Sequence, residues 1–218
     1  IRAGRDPLGT AYCCVHSAEL RRPLGQTYTS QEIVEAMTAW AAANGSPTRV
    51  IDPGAGSGRY LLAAAKSFPE ARLFGVDVDP LAALMLRANL AACGLADRAE
   101  VRVSDFRTLS LPPADGSTLF LGNPPYVRHH SISPEWKEWF AATAKRHGLK
   151  ASKLAGLHVH FFLATAEHAR PGDYGAFITS SEWLDVNYGK LVRDLLLDGL
   201  GGQSLHLIDA SVLPFDDV

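Results

Sequence analysis

The chain has 218 residues, 47% of them hydrophobic, enough for one compact domain with a sizeable core and too few for two generous ones. Its formal net charge of -2 argues against the strongly basic surface of a self-sufficient nucleic-acid-binding protein. No apolar run approaches the roughly 18 residues of a membrane span, and the start at Ile1-Arg2-Ala3-Gly4 lacks the pattern of a signal peptide, so neither is expected.

Residues 1–29 read as an irregular N-terminal segment and residues 30–218 as one folded domain. Cys13, Cys14 and Cys93 form neither a disulfide framework nor a metal-ligand pattern, which fits a reducing, cytoplasmic setting. The first helix is predicted from Ser30 to Ala43, with Ser30 as cap and Ile33, Val34, Met37, Trp40 and Ala41 on one face. Two units of apolar run, turn and helix follow. Arg49 to Asp52 precede the turn Gly54 to Gly58, and Arg72 to Asp77 precede a helix from Pro80 to Cys93. In that helix Asp79 can cap, Pro80 suits the first turn, Gly94 can terminate, and Leu81, Leu84, Met85, Ala88 and Ala92 share a face. Further strands are predicted at 100–104, 119–122, 174–179 and 204–209, with helices near 134–147, 157–170 and 188–197. This alternation implies an α/β fold, a mostly parallel sheet with helices on both faces.

The turn Asp52-Pro53-Gly54-Ala55-Gly56-Ser57-Gly58 joins a strand to a helix, and its glycines let backbone pass close under a ligand. Asp77, at the end of the next apolar run, can accept both hydroxyls of a ribose. Two acidic residues here, Asp52 and Asp77, disfavour a diphosphate and favour a cationic nucleoside, because carboxylates would repel the former. S-adenosylmethionine is such a molecule. Asp105 can accept from its adenine amine, and Phe106 can either stack on its ring or pack in the core.

Leu121-Gly122-Asn123-Pro124-Pro125-Tyr126 carries the chemistry. Two prolines fix φ and remove two backbone donors, so the loop offers only carbonyls there. The Asn123 side-chain oxygen and the Pro124 carbonyl can draw the hydrogens of an aromatic amine toward tetrahedral geometry, and Tyr126 can stack on the base that carries it. Methyl transfer then needs alignment and charge stabilisation rather than a strong base. A base inside a duplex must first be flipped out.

Taken in linear order, these motifs resemble the Rossmann-like class I amino-methyltransferases, in particular the adenine-N6 DNA methyltransferases of restriction-modification systems. By that resemblance, Gly25-Gln26-Thr27-Tyr28-Thr29-Ser30 is similar to their N-terminal cofactor motif, placing Tyr28 and Thr29 at the methionine end, although Ser30 stands where the family usually has proline. Asp52 to Gly58, with Gly54 and Gly56 at its heart, Asp77, Asp105-Phe106 and Asn123 to Tyr126 match the later motifs. Gly172 to Ile178 with Trp183-Leu184 is similar to the family's next strand and loop. The resemblance implies S-adenosylmethionine as cofactor and double-stranded DNA as partner. It also implies a last strand and a target-recognition region, or a restriction subunit, missing beyond Phe215-Asp216-Asp217-Val218; the first residue is not Met either, so the chain is read as a piece of a longer one. The basic runs at Arg128-His129-His130 and Lys145 to Lys153 are open to two readings, DNA contacts or solvated surface. Three alternatives stay in view: a glutamine-amide protein methyltransferase, an RNA base methyltransferase, and a cofactor-holding subunit without catalysis. His158 and His160, two apart on a helix, face different directions, so no metal site is expected.

Overall fold

A computed structural model describes residues 6–21 and 25–209. Two short helices, α1 (Pro7–Val15) and α2 (Ala18–Arg21), precede α3 (Gln31–Asn44). There follow β1 (Arg49–Asp52), α4 (Arg59–Ser67), β2 (Arg72–Asp77), α5 (Pro80–Ala92), β3 (Ala99–Val103) and β4 (Thr118–Gly122). The chain continues through α6 (Pro134–Arg146), α7 (Leu157–His168), β5 (Tyr174–Phe177) and α8 (Lys190–Leu197). The five strands form one sheet in the order β3-β2-β1-β4-β5, and every pairing is parallel.

Alternate strand residues face opposite layers, as a period of two requires. Val50, Leu73, Leu119 and Leu121 join Val34 and Ala41 of α3, Leu61 and Ala64 of α4, and Leu86 and Leu90 of α5 in one core. Ile51, Phe74, Val76 and Phe120 face the other way, onto Phe106 and onto Phe161 and Ala164 of α7. A third cluster joins α6, α7 and α8 through Phe140, Phe162, Leu163, Leu191 and Leu195. The expected parallel sheet with helices on both faces is therefore present. Its strand order reverses between β1 and β4, where open α/β sheets carry a crevice beyond the strands' carboxyl ends.

Three expectations need correction. Ser30 stands at the N-cap of α3 without a side-chain cap hydrogen bond, and α3 buries Thr38 along with Val34 and Ala41. Helix α5 is capped by Asp79 as expected, its Oδ1 accepting from Leu81 N at 2.9 Å, but it presents the other face. Leu81 and Leu84 are 43% and 60% exposed, while Ala82, Ala83, Met85, Leu86, Asn89 and Leu90 are buried. Apolar residues surround this helix, so its own pattern does not choose a side; β2 does, because Gly75 leaves the space that Leu86 fills. Residues 204–209 form no strand: among the described residues the sheet contains only β1 to β5, and this exposed stretch joins none of them in a strand ladder. The ending at 215–218 lies outside the described residues.

One anchoring group escaped the sequence reading. Asp6 is buried, caps α1 by accepting from Gly9 N at 2.9 Å, and also accepts from Ser57 Oγ, Arg59 Nε at 3.0 Å and Asn89 Nδ2 at 3.1 Å. A single carboxylate thus ties the N-terminal helix to the glycine turn and to α5.

Candidate functional site

A cavity of about 370 Å³ opens at the carboxyl ends of the strands. Its floor is the turn after β1, including Gly54 and Gly56; one wall comes from Asp77 and Val78 after β2 and from Ser104 to Arg107 after β3, and the opposite wall from Asn123 and Pro125 after β4. The segment Gly25 to Thr29 closes one side, and Ile132 and Trp136 another.

Asp77 braces the floor from the rim. Its Oδ2 accepts from Gly56 N at 2.8 Å and its Oδ1 from Asp79 N at 2.9 Å, and burial raises its pKa. Gly56 needs its conformational freedom, with φ +53, rather than space from protein atoms, since a Cβ there would meet nothing within 4 Å. Asp52 is not in the wall. It lies 1% exposed beneath the turn, its Oδ1 accepting from Gly54 N at 3.3 Å and its Oδ2 without a partner. The pair of rim carboxylates expected from sequence is thus reduced to Asp77.

Burial, assisted by the negative charge of Asp77, pushes the Asp52 carboxyl up to about 8. The folded protein then keeps a proton that the unfolded chain releases near pH 4, about the ordinary aspartate value. This contribution to stability is complete below that value and is lost as pH rises through about 8. Asp52→Asn is expected to flatten the fall. Urea unfolding at about pH 5 and about pH 8 should show the wild type losing more stability than the variant between the two; equal losses would mean that the carboxyl is ionised throughout.

Thr29 links the N-terminal motif to both chemical walls. Its Oγ1 accepts from Asn123 Nδ2 at 3.2 Å and from Tyr60 Oη at 3.3 Å, and its carbonyl accepts from Arg59 Nη1 at 2.7 Å. Arg59, unforeseen from sequence, also lies 5.1 Å from the ring of Tyr28. Asn123 Nδ2 donates a second time, to the Thr27 carbonyl at 3.3 Å. Because a carbonyl can only accept, this contact fixes the amide's orientation. Asn123 Oδ1 is left buried with no protein partner, an acceptor poised for a donor the protein does not supply.

The rest of that loop departs from expectation. Pro124 is buried and does not line the cavity; Pro125 does. Tyr126 is also outside the lining. Its N–H donates to Gly25 O at 3.1 Å, its hydroxyl donates to Ile178 O at 3.3 Å, and its ring centroid is 6.3 Å from that of His158. The Phe106 ring, 1% exposed, packs at 5.7 Å from Phe161, 6.5 Å from Phe120 and 4.9 Å from His168, so of its two readings the core is the one the geometry favours. Asp105 stands in the wall, held by Arg107.

Both helix histidines are buried. His160 stacks on Phe140 at 4.2 Å, and burial drives it down to about 3; His158 is lowered by the same cause. The basic runs are largely solvent-facing: Arg128, His130, Lys145, Lys150 and Lys153 are exposed, while Arg146 and His147 pair with Glu167.

Residues 116–209 match the family model of the Eco57I restriction-modification methylase, and residues 50–146 match that of a methyltransferase domain. The chain is 59% identical over 191 residues to the Type II methyltransferase M.XamI of Xanthomonas campestris pv. amaranthicola, an overlap of 88% of this chain and 36% of that protein. It is 36% identical over 103 residues to a tRNA1(Val) (adenine(37)-N6)-methyltransferase of Porphyromonas gingivalis strain W83, covering 44% of this chain and 40% of that protein. The chain thus spans well under half the length of these relatives. A solved structure from Listeria monocytogenes, described as a candidate class I S-adenosylmethionine-dependent methyltransferase, superposes with a TM-score of 0.55 at 16% identity, over 76% of this chain and 49% of that one.

Proposed function

The chain is a relative of the restriction-modification methylases with the class I methyltransferase fold, and on that premise we propose that it carries the catalytic site of an S-adenosylmethionine-dependent DNA adenine-N6 methyltransferase. The observation that carries this reading is the buried, unpartnered Asn123 Oδ1 beside a cavity with an acidic rim.

The residues fit the cofactor. Asp77, in the lining, is assigned to the ribose hydroxyls, and Thr29, Tyr28 and Arg59, also in the lining, to its amino-acid portion. Gly54 and Gly56 add no side chain to the floor, and Asp105 in the wall is assigned to the adenine. When bound, S-adenosylmethionine supplies an electrophilic methyl group on a sulfonium.

Asn123 then acts on the target. Its Oδ1 accepts one hydrogen of the adenine N6 amine, and the carbonyl of Pro124 is proposed as the second acceptor once the loop meets a base. Holding both hydrogens out of the ring plane localises the nitrogen lone pair and aims it at the methyl carbon. With the cofactor bound, this alignment would let its methyl group pass to the amine nitrogen, and water would take up the amine proton, since no residue here is assigned as a base. Tyr126 is assigned to stacking on the flipped base; that contact of about 1 to 3 kcal/mol and amine hydrogen bonds of about 1 kcal/mol each together offset an extrusion cost of a few kcal/mol.

Residues 30–218 are assigned to catalysis and residues 1–29 to an N-terminal segment that brings the Thr29 motif. DNA sequence selection is assigned to a recognition region or partner outside these residues, a reading supported by the 36% span of M.XamI. Among the described residues no helix is long and apolar enough to cross a membrane, and a genomic DNA substrate implies a cytoplasmic location.

The test is transfer of isotopically labelled methyl to duplex DNA, to transfer RNA and to a glutamine-containing peptide, followed by digestion and mass spectrometry. N6-methyladenine in the DNA digest is the expected product. Label confined to RNA or to peptide would replace the substrate assignment, and a protein that does not bind S-adenosylhomocysteine would remove the cofactor assignment.

A further inference from the structure

The reaction above leaves Arg107 and Trp136 without a role, yet both line the cavity. The Arg107 side chain is only 7% exposed and grips Asp105 as a fork, Nε to Oδ1 at 2.9 Å and Nη2 to Oδ2 at 2.6 Å. Its backbone N–H also donates to Oδ1, at 2.9 Å. The guanidinium lies 3.5 Å from the centroid of the Trp136 ring, in the first turn of α6, and Nη1 approaches His160 Nδ1 at 3.5 Å. A planar guanidinium stacked on indole and bound on two edges has little freedom left.

The arrangement can be counted in acceptor positions. Each carboxylate oxygen offers about two. Those of Oδ1 are filled by two donors from Arg107, and Oδ2 receives one, leaving a single position on a side chain 20% exposed within the cavity wall. One free acceptor suits one N–H of an exocyclic amine. It repels the carbonyl oxygen that a 6-oxopurine carries at the same place.

Building on the cofactor reading above, we propose that Arg107, clamped by Trp136, is a positioning residue that aims the remaining acceptor of Asp105 into the cavity and so selects a 6-aminopurine cofactor over a 6-oxopurine one. A lysine could not substitute, because a point charge cannot make the fork and the stack together.

The experiment is calorimetric binding of S-adenosylhomocysteine and of its inosine counterpart to the wild type and to Arg107→Met, Trp136→Leu and Trp136→Phe, each checked by thermal unfolding. A hydrogen bond to a charged acceptor corresponds to a wild-type preference for the adenosine ligand of about 10- to 100-fold. Arg107→Met and Trp136→Leu are expected to lose most of that preference, chiefly by weakening the adenosine ligand, and Trp136→Phe to retain it. Three results would overturn the inference: an unchanged preference in both loss variants, equal weakening of both ligands, or tighter adenosine binding by Arg107→Met, which would make the arginine a plug. If Arg107→Met does not fold, Trp136→Leu and Trp136→Phe decide alone. A wild type that binds neither ligand overturns the cofactor reading, and this inference with it. A wild type that discriminates alongside variants that discriminate equally well overturns only the role of Arg107.

Discussion

Replacing Asn123 with alanine is expected to slow single-turnover methyl transfer about 10²- to 10³-fold, the scale set by deleting one preorganised polar contact to a reacting group. Affinity for S-adenosylhomocysteine should fall by no more than roughly tenfold, because the amine that Oδ1 awaits is on the target base and the alanine removes only the two neutral Nδ2 bonds that steady Thr27 and Thr29. Asn123 Oδ1 has no protein partner to lose, so its loss shows only where an amine hydrogen fills it, whereas losing the Nδ2 bonds to Thr27 O and Thr29 Oγ1 shows as a smaller drop in cofactor affinity. A fall in rate well beyond any fall in cofactor affinity identifies an interaction strengthened in the transition state. Asn123→Asp sharpens the test. It keeps an oxygen near the Oδ1 position, but its second oxygen would face the Thr27 carbonyl, which now receives Nδ2. That variant should retain more transfer than the alanine and less than the wild type. If the alanine variant weakens cofactor binding as much as it slows transfer, Asn123 is a wall of the cavity and the reading of its chemistry fails.

Why Asn123 was legible in sequence and other parts were not follows from the range of the interactions involved. Asn-Pro-Pro-Tyr is a local constraint: two prolines dictate the backbone whatever surrounds them. The strand-turn-helix units are equally local, because short apolar runs ending in glycine or aspartate fix both the element and its direction. Asp77 was legible for the same reason, lying where β2 must end. The choice among neighbours was not. Pro124 and Pro125 are indistinguishable as letters, and only the packed loop sends Pro125 to the cavity. Phe106 follows Asp105 in sequence, but its ring is claimed by Phe120 and Phe161 from distant elements. Asp52 and Asp77 both terminate strands, and Asp52 is the one beneath the turn, beside Gly122 of β4, where an added Cβ would sit 2.7 Å from its carboxylate. Asp6 lies furthest from any local signal, since its partner Asn89 is 83 residues away.

The glycine turn yields the other large effect, and it separates two uses of one residue type. Gly58 caps α4 with φ +97 and ψ 23, and a Cβ there would fall on Leu86 Cδ1. Leu86 cannot retreat, because its other methyl already occupies the space above Gly75, 2.5 Å from where a Cβ would stand. Left-handed strain of about 1 to 2 kcal/mol and overpacking of about 1 to 3 kcal/mol then act together. Gly58→Ala should therefore cost about 3 kcal/mol, or roughly 6 to 12 °C in Tm for a domain of this size. Leu86→Ala alone should cost about 2 to 5 kcal/mol. The double variant should be more stable than the sum of the two losses predicts, since the shortened side chain relieves the clash while the strain remains. Additive losses would show that the turn yields without touching α5. Gly56→Ala is the counterpart in the same turn. Its added Cβ meets no protein atom within 4 Å, so only strain is felt in the free protein. Gly56 lines the cavity, however, so the same methyl group should weaken S-adenosylhomocysteine by more than it lowers Tm. The expectation is that the fold requires one glycine and the ligand the other, and measuring stability and affinity on both variants tells the two requirements apart.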